Sequence, residues 1–389
     1  MTTTSKVPNV GPNPGTNPLK GLLTYGQSPW MDYIRRDLLT SGGLKKMIDQ
    51  DGLRGMTSNP TIFEKAIVGS KFYSDILEAP DAKQLGAGGV YEKIAIRDVQ
   101  DATDIFRPVY DESKRRDGYV SLEVSPLLAN DTKATIEEAR RLWKTVNREN
   151  LMVKVPATPA GIPAIRQLLE DGLNINITLL FAQSAYEQVA EAYLAALEAR
   201  VKKGQDVSHI ASVASFFVSR IDTLIDNQIE AKLKTETDAR KKELLASVEG
   251  KVAIANAKLT YKKYQELFGD ARWKALAAKG AQTQRLLWAS TSTKNPKYRD
   301  VLYVEELIGA DTVDTIPPAT FDAFRDHGKL RASLTENVDD AAKTMANLEK
   351  TGISMKAATE KLVVDGVKLF ADAFHELLDA TGKTAGVHA

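Results

Sequence analysis

Short apolar runs alternate with longer amphipathic segments along most of the chain. The runs are brief and rich in β-branched residues, the pattern of strands buried on both faces. LRGMTS (53–58), YVSLEVS (119–125), LMVKVPA (151–157), INITLLF (175–181), IASVASFFV (210–218), RLLWAS (285–290) and DTVDTI (311–316) read as seven strands. SPWMDYI (28–34) reads as one more, ahead of the helical DLLTSGGLKKMIDQ. Between them, KATIEEARRLWKTVN (133–147) sets apolar residues at helical spacing with mixed charge on the other face. AGIPAIRQLLEDG (160–172) stops at Gly172, a suitable helix terminator. SAYEQVAEAYLAALEARVKKG (184–204) ends in basic residues and glycine, as the helix dipole favours. Residues 70–118 hold a further helical stretch.

Eight strands alternating with helices imply a parallel sheet. Eight such units in roughly 300 residues suit a single closed (β/α)8 barrel, a TIM barrel with added helices. An open doubly wound sheet is the competing arrangement, but no GxGxxG turn supports it. Two regions fall outside the minimal barrel. Residues 1 to about 20, rich in Pro, Asn, Gly and Thr, read as a flexible arm and lack the apolar stretch of a secretory signal. The barrel is then expected over 21–389. From about 222 to 283 the chain is charge-rich and helical in pattern, an excursion after the sixth strand expected as a solvated helical hairpin on the barrel wall.

Charge and composition narrow the function. The 52 basic and 51 acidic residues give a net charge of +1, so nothing argues for nucleic acid or an anionic membrane as partner. A small anionic ligand needs only a local cluster of donors. Cysteine is absent, which removes disulfides, thiolate nucleophiles and thiolate metal sites. The four histidines, His209, His327, His375 and His388, are scattered and form no metal-ligand spacing. No run of 18 apolar residues occurs, so no membrane span is expected, and a cytoplasmic location is the expectation.

The residue that changes the picture most is Lys154, inside the apolar LMVKVPAT. An ammonium is costly to bury, and a desolvated lysine amine favours its neutral, nucleophilic form. The bland alternative is a lysine reaching solvent at a strand end or pairing with a carboxylate. Glu123, in SLEVSP of the preceding strand, is placed to pair with it and to relay protons through a bound water. A plain ion pair explains Glu123 equally well. Asn176 and Thr178, two apart in NINITLLF, share one face of the next strand. They suit a wet barrel mouth or simple cross-strand hydrogen bonding. Asn59, in TSNPTIFEKA, is either a turn former or part of the C-terminal face where barrel active sites form. Ser215 and Arg220, in VASFFVSRID, suit a phosphate, and Ser290 and Lys294, in LWASTSTKN, offer a second hydroxyl and cation. Asp32 is a candidate acid/base, although residue patterns alone do not separate it from Asp37.

Taken in order, TSNPTIF, LEVSP, LMVKVPAT, NINITLLF, SFFVSRID and LWASTSTKNP resemble transaldolase, in its longer bacterial and plant-like branch. GQSPWMDYIRRDLL and DGLRGMTSNPTIFEKAI open the barrel in the manner of that branch, and the resemblance runs from about 20 to 380. It implies a Schiff-base lysine at Lys154 and an acid/base at Asp32. Glu123 and Thr178 match the pair that holds a catalytic water, and Asn59 and Asn176 the groups that bind substrate hydroxyls. Ser215 and Arg220 match the phosphate site. The shorter branch carries an arginine in the seventh-strand loop, where this chain offers Lys294. The implied activity is dihydroxyacetone transfer from a ketose phosphate to an aldose phosphate in the non-oxidative pentose phosphate pathway, with no metal or organic cofactor. Monomer and homodimer both stay open.

Overall fold

The computed structural model describes residues 17–386. Eight strands close a parallel barrel in chain order: β1 Gln27–Asp32, β2 Gly55–Thr57, β3 Tyr119–Glu123, β4 Leu151–Pro156, β5 Ile175–Leu180, β6 Ser212–Phe217, β7 Arg285–Ala289 and β8 Thr312–Ile316. β8 pairs with β1 in parallel, which closes the ring and leaves no open edge. Seven strands fall within runs expected from the sequence, and β1 starts one residue ahead of its expected run, 28–34. The expected TIM barrel is the fold.

Register decides what faces the lumen. Glu123 on β3 aligns with Lys154 on β4, and Lys154 with Asn176 on β5. Lateral partners in a sheet face the same way, so these three side chains form one inward row. Below them the lumen is filled by bulk. The Trp30 indole lies where a Cβ on Gly55 would come within 2.4 Å of it, so β2 needs glycine there. The ladder between β5 and β6 shifts register between Ile177 and Leu180, and Leu179 has a φ of +62°. A buried leucine there is strained, and such irregularities cluster at functional sites. This one lies directly beside Thr178.

Two expectations need correcting. Residues 17–20 are not part of an arm: Pro18–Gly21 is a short helix capped by the Asn17 side chain, and Leu19 is fully buried. Residues 1–16 lie outside the described residues. The excursion is likewise not a solvated hairpin. It comprises four helices, Ser219–Thr235, Ala239–Val248, Val252–Leu267 and Ala271–Ala277. The third packs against helices Gln183–Lys202 and Val338–Lys350 and buries Ala253, Ala257, Thr260 and Tyr261. Small residues allow that close approach, and Asp222 on the neighbouring helix accepts from the Ala253 N–H at 2.7 Å, capping it from outside.

The sequence reading passed over the C-terminal helix, Met355–Ala385. It packs against helices Pro60–Ile67 and Ala82–Glu112 and touches β5. Gly366 permits this, because a Cβ there would approach Leu179 Cδ2 to 2.9 Å. One turn on, Phe370 reaches the carboxyl-end mouth of the barrel. No helix among the described residues is long and apolar enough to cross a membrane.

Candidate active site

Lys154 stands in the middle of β4 and is 5% exposed. Its Nζ donates to the Ser58 carbonyl at 3.2 Å and lies 3.8 Å from Glu123 Oε2. The Phe370 ring covers it, with the centroid 5.9 Å away. Burial pushes the Glu123 carboxyl up to about 7, with the Asp32 charge adding to the rise and Lys154 opposing it. Glu123 Oε2 and the Thr178 hydroxyl are both buried and have no hydrogen-bond partner among the described residues. Unpaired buried polar atoms are costly, so one of them 3.8 Å from the Lys154 amine marks a place built for something other than stability; Thr178, on the next strand, does not line the cavity that Lys154 faces.

Asp32 ends β1 and accepts from the Thr57 hydroxyl at 2.7 Å; Thr57 in turn shares a 2.6 Å contact with Thr315. Burial raises the Asp32 carboxyl above its ordinary range, against Lys154, the Thr57 bond, Arg220 and Lys294. Asp37 lies instead in the first turn of a short helix and pairs with Arg35. The structure thereby separates two aspartates that the sequence left undecided.

Around Lys154 and Asp32 opens a cavity of about 550 Å³, also lined by Asn59, Ser215, Arg220, Ser290 and Lys294. Asn59 serves two ends: its side chain accepts from the Ile62 N–H at 3.1 Å, capping helix Pro60–Ile67, and it also faces the cavity. Asn176 lies deeper, fully buried, donating to Ser121 at 3.0 Å and accepting from Ser215 at 2.6 Å. Ser215 is thus tied into the barrel interior, while Arg220 occupies the rim.

Arg220 is the second residue of helix Ser219–Thr235, whose N-terminus has no side-chain cap. Its guanidinium lies over Phe217 at 5.2 Å and Phe370 at 5.8 Å, and among the described residues it has no hydrogen-bonded or ion-paired partner. Ser290, with a φ of +57°, holds its hydroxyl 2.9 Å from that of Ser219. Lys294 donates to Ser292 at 2.7 Å. Burial lowers the Lys294 ammonium, and Arg220 and Lys65 push the same way, with Asp32 opposing. Arg220 is also lowered by burial, again with Asp32 opposing. Arg220 at the start of its helix, near enough to Lys294 to lower it, makes a positively charged rim suited to an anion, the helix dipole adding to the field.

Sequence reasoning missed Lys65, Tyr33, Thr57, Ser292 and Phe370 among the lining residues. Lys65 carried a local signal, since it lies four residues after Thr61 on the short helix that Asn59 caps. Phe370 carried none, because it arrives from the far end of the chain. Among the described residues no three carboxylates or imidazoles converge as metal ligands would.

Fold and site together define a class: an eight-stranded barrel with a buried amine on its fourth strand, below a rim that carries Arg220 and Lys294. Within that class, the chain belongs to the Transaldolase/Fructose-6-phosphate aldolase family, whose model matches residues 29–381. It is 48% identical to a transaldolase of Trichodesmium erythraeum over 367 residues, 94% of this chain and 97% of that one. It is 49% identical to transaldolase 2 of Nostoc punctiforme over 368 residues, again 94% and 97% of the two chains. A transaldolase of Thermobifida fusca is 43% identical over 378 residues, 96% of this chain and 99% of its own.

Proposed function

We propose that the protein is a transaldolase working through a Schiff base on Lys154. It moves a dihydroxyacetone unit from sedoheptulose 7-phosphate or fructose 6-phosphate to glyceraldehyde 3-phosphate or erythrose 4-phosphate, as in the non-oxidative pentose phosphate pathway. The observation that carries this reading is the buried Lys154 amine, 3.8 Å from a carboxyl raised to about 7. A cavity of sugar-phosphate size adjoins the amine, rimmed by Arg220 and Lys294.

The donor phosphate docks on Arg220 and Lys294, with the Ser290 hydroxyl beside them. Neutral Lys154 Nζ adds to the C2 ketone and gives a carbinolamine. Protonated Glu123, with Thr178 holding a water, gives its proton to the C2 oxygen; that oxygen leaves as water and the C=N⁺ bond forms. Asp32 takes the proton of the C4 hydroxyl as the C3–C4 bond breaks and its electrons flow into the iminium. The aldose phosphate departs and the enamine stays. A second aldose phosphate accepts the enamine carbon, Asp32 returns the proton, and hydrolysis of the new iminium frees the product ketose and Lys154.

The family embraces aldolases as well as transaldolases, so the acceptor matters. Borohydride added with fructose 6-phosphate is expected to leave a dihydroxyacetone-derived mass on the Lys154 peptide. Net turnover of fructose 6-phosphate is expected only when erythrose 4-phosphate is supplied as acceptor, since glyceraldehyde 3-phosphate would merely rebuild the donor. Steady release of free dihydroxyacetone without an acceptor identifies an aldolase instead. Absence of any adduct on the wild-type protein removes the Schiff-base reading.

A further inference from the structure

Glu123 does not line the cavity that holds Lys154 and the phosphate cations. It lines a second chamber of about 180 Å³ on the opposite side, between β3 and helix Ala82–Glu112. The two spaces are lined in part from the same elements. Asn59 faces both. Ser58, whose carbonyl accepts from Lys154 Nζ, faces the chamber. The C-terminal helix supplies the rest, with Phe370 over Lys154 and Phe374, one turn on, in the chamber wall.

The chamber's interior is mixed in character. Phe63, Tyr91 and Phe374 meet edge to face across it, with centroids 5.6 and 5.8 Å apart. The Tyr91 hydroxyl is held protonated by burial and, next, by the Glu123 charge. At the outer side stands Glu138, which accepts from the Ser125 N–H at 3.2 Å and is raised by its own burial. Gly88 lies on the rim and is exposed, and a Cβ built on it would meet nothing within 4 Å. The chamber therefore runs from the protein surface to Glu123, whose Oε2, the oxygen facing Lys154, is itself buried at the chamber's inner end. Its volume accommodates several waters at roughly 30 Å³ each, with carboxyl, hydroxyl and carbonyl groups to bind them.

We propose that this chamber is the route by which water and protons reach the Glu123–Lys154 pair, separate from the mouth that admits sugar phosphates. The inference rests on the Schiff-base reading above and deepens it. Carbinolamine collapse breaks the C2–O bond, moves the nitrogen lone pair into C=N⁺ and transfers the Glu123 proton to the departing oxygen. One water and a Glu123 carboxylate result, and hydrolysis is the reverse. A bound ketose fills the mouth during these steps, with its phosphate on the rim and Phe370 over the amine. The water formed leaves, and the hydrolytic water enters, on the Glu123 side. Spatial separation also keeps solvent from the face of the enamine that must meet the acceptor.

Oxygen exchange at C2 reports this traffic directly. Fructose 6-phosphate incubated in H₂¹⁸O without acceptor acquires label each time a carbinolamine forms, collapses and rehydrates. Gly88→Leu obstructs the outer opening, and Ala95→Met narrows the inner wall; Gly88→Ala is the small control. Both obstructing variants, with melting temperatures confirming the fold, are expected to slow enzyme-dependent exchange by at least about tenfold. KM for fructose 6-phosphate should stay unchanged, and the Gly88→Ala control should exchange at the wild-type rate. Wild-type exchange in both obstructed variants overturns the route, as does slowing by Leu369→Trp at the substrate mouth with no effect at Gly88 or Ala95. A wild-type protein showing neither exchange nor a borohydride adduct removes the Schiff-base reading itself, an outcome distinct from a failed route.

Discussion

The barrel lumen holds a buried cation beside a buried carboxylate at each end, and the two pairs are built differently. At the amino ends of the strands, Arg285 on β7 donates to Asp117 at 2.9 Å, to Ser28 at 2.8 Å and to the Arg116 carbonyl. Ser28 donates to the second Asp117 oxygen at 2.8 Å. The Trp30 indole N–H reaches the first at 3.4 Å. Both Asp117 oxygens are thus occupied. At the carboxyl ends, Lys154 and Glu123 stand 3.8 Å apart, and a Glu123 oxygen and the Thr178 hydroxyl lack partners among the described residues. One pair is a finished network that plugs the barrel floor. The other is held loosely, leaving an amine and an acid free to act. Burial alone does not separate a structural ion pair from a reactive one; saturation of its hydrogen bonds does.

The largest effect expected from breaking this contrast is at Lys154. Lys154→Ala should lower transaldolase turnover by roughly 10⁴-fold or more, because the reaction loses its covalent path. The borohydride adduct should vanish while the melting temperature moves little, since Glu123 can shed its charge by taking a proton. A large drop in melting temperature would place Lys154 with Arg285 as a structural cation.

Asp32→Asn should cost less, about 10² to 10⁴-fold in turnover, the range for a lost general acid/base. It differs in kind as well. The Lys154 adduct with fructose 6-phosphate should still form, since the proposed mechanism gives Asp32 no part in making the Schiff base. Rapid-quench measurement of glyceraldehyde 3-phosphate release is the check: release at the wild-type rate would rule out Asp32 as the base in C–C cleavage.

At the barrel floor, Arg285→Met should reverse the pattern. Removing one member of a buried, hydrogen-bonded pair costs about 3 to 5 kcal/mol, because Asp117 keeps its burial and loses its partner. Urea unfolding should show that loss, whereas kcat per folded molecule should stay near wild type. An unfolding midpoint equal to wild type would mean that the floor network contributes nothing net.

Which of these pairs was legible in advance follows from how each is made. The eight strands were readable because each is a short, largely apolar run bounded by turns, several of them β-branched, and that is a local property. Lys154, Glu123, Asn176 and Thr178 were readable because each interrupts such a run with a polar group. The floor pair went unnoticed although Arg285 also opens a strand run: Asp117 lies in a loop, and only barrel closure brings it to β7. Phe370 and the chamber behind Glu123 depend on where the C-terminal helix docks. That contact joins residues nearly 200 apart, from Leu179 to Gly366, and no local pattern encodes it.

The smallest expected effect is a pH dependence of stability that belongs to the reactive end. Burial raises Glu123 from its ordinary value near 4.5 to about 7, so the folded state binds that proton more tightly than the unfolded chain does. The sign follows: the associated stability is fully present below about 4.5 and is lost as pH rises through about 7. The size is no more than about 3 kcal/mol. Asp32, Asp222 and Asp314 are raised by burial too, so the slope must be taken as a difference between variants. Between pH 4.5 and 7, Glu123→Gln should lose less stability with rising pH than the wild type. Its denaturation curves should therefore converge on or overtake the wild type's toward neutrality. Parallel curves for the two proteins would mean that Glu123 is ionised throughout, leaving no proton there for the departing C2 oxygen. In that case the pair above Lys154 would be as settled as the one on the barrel floor.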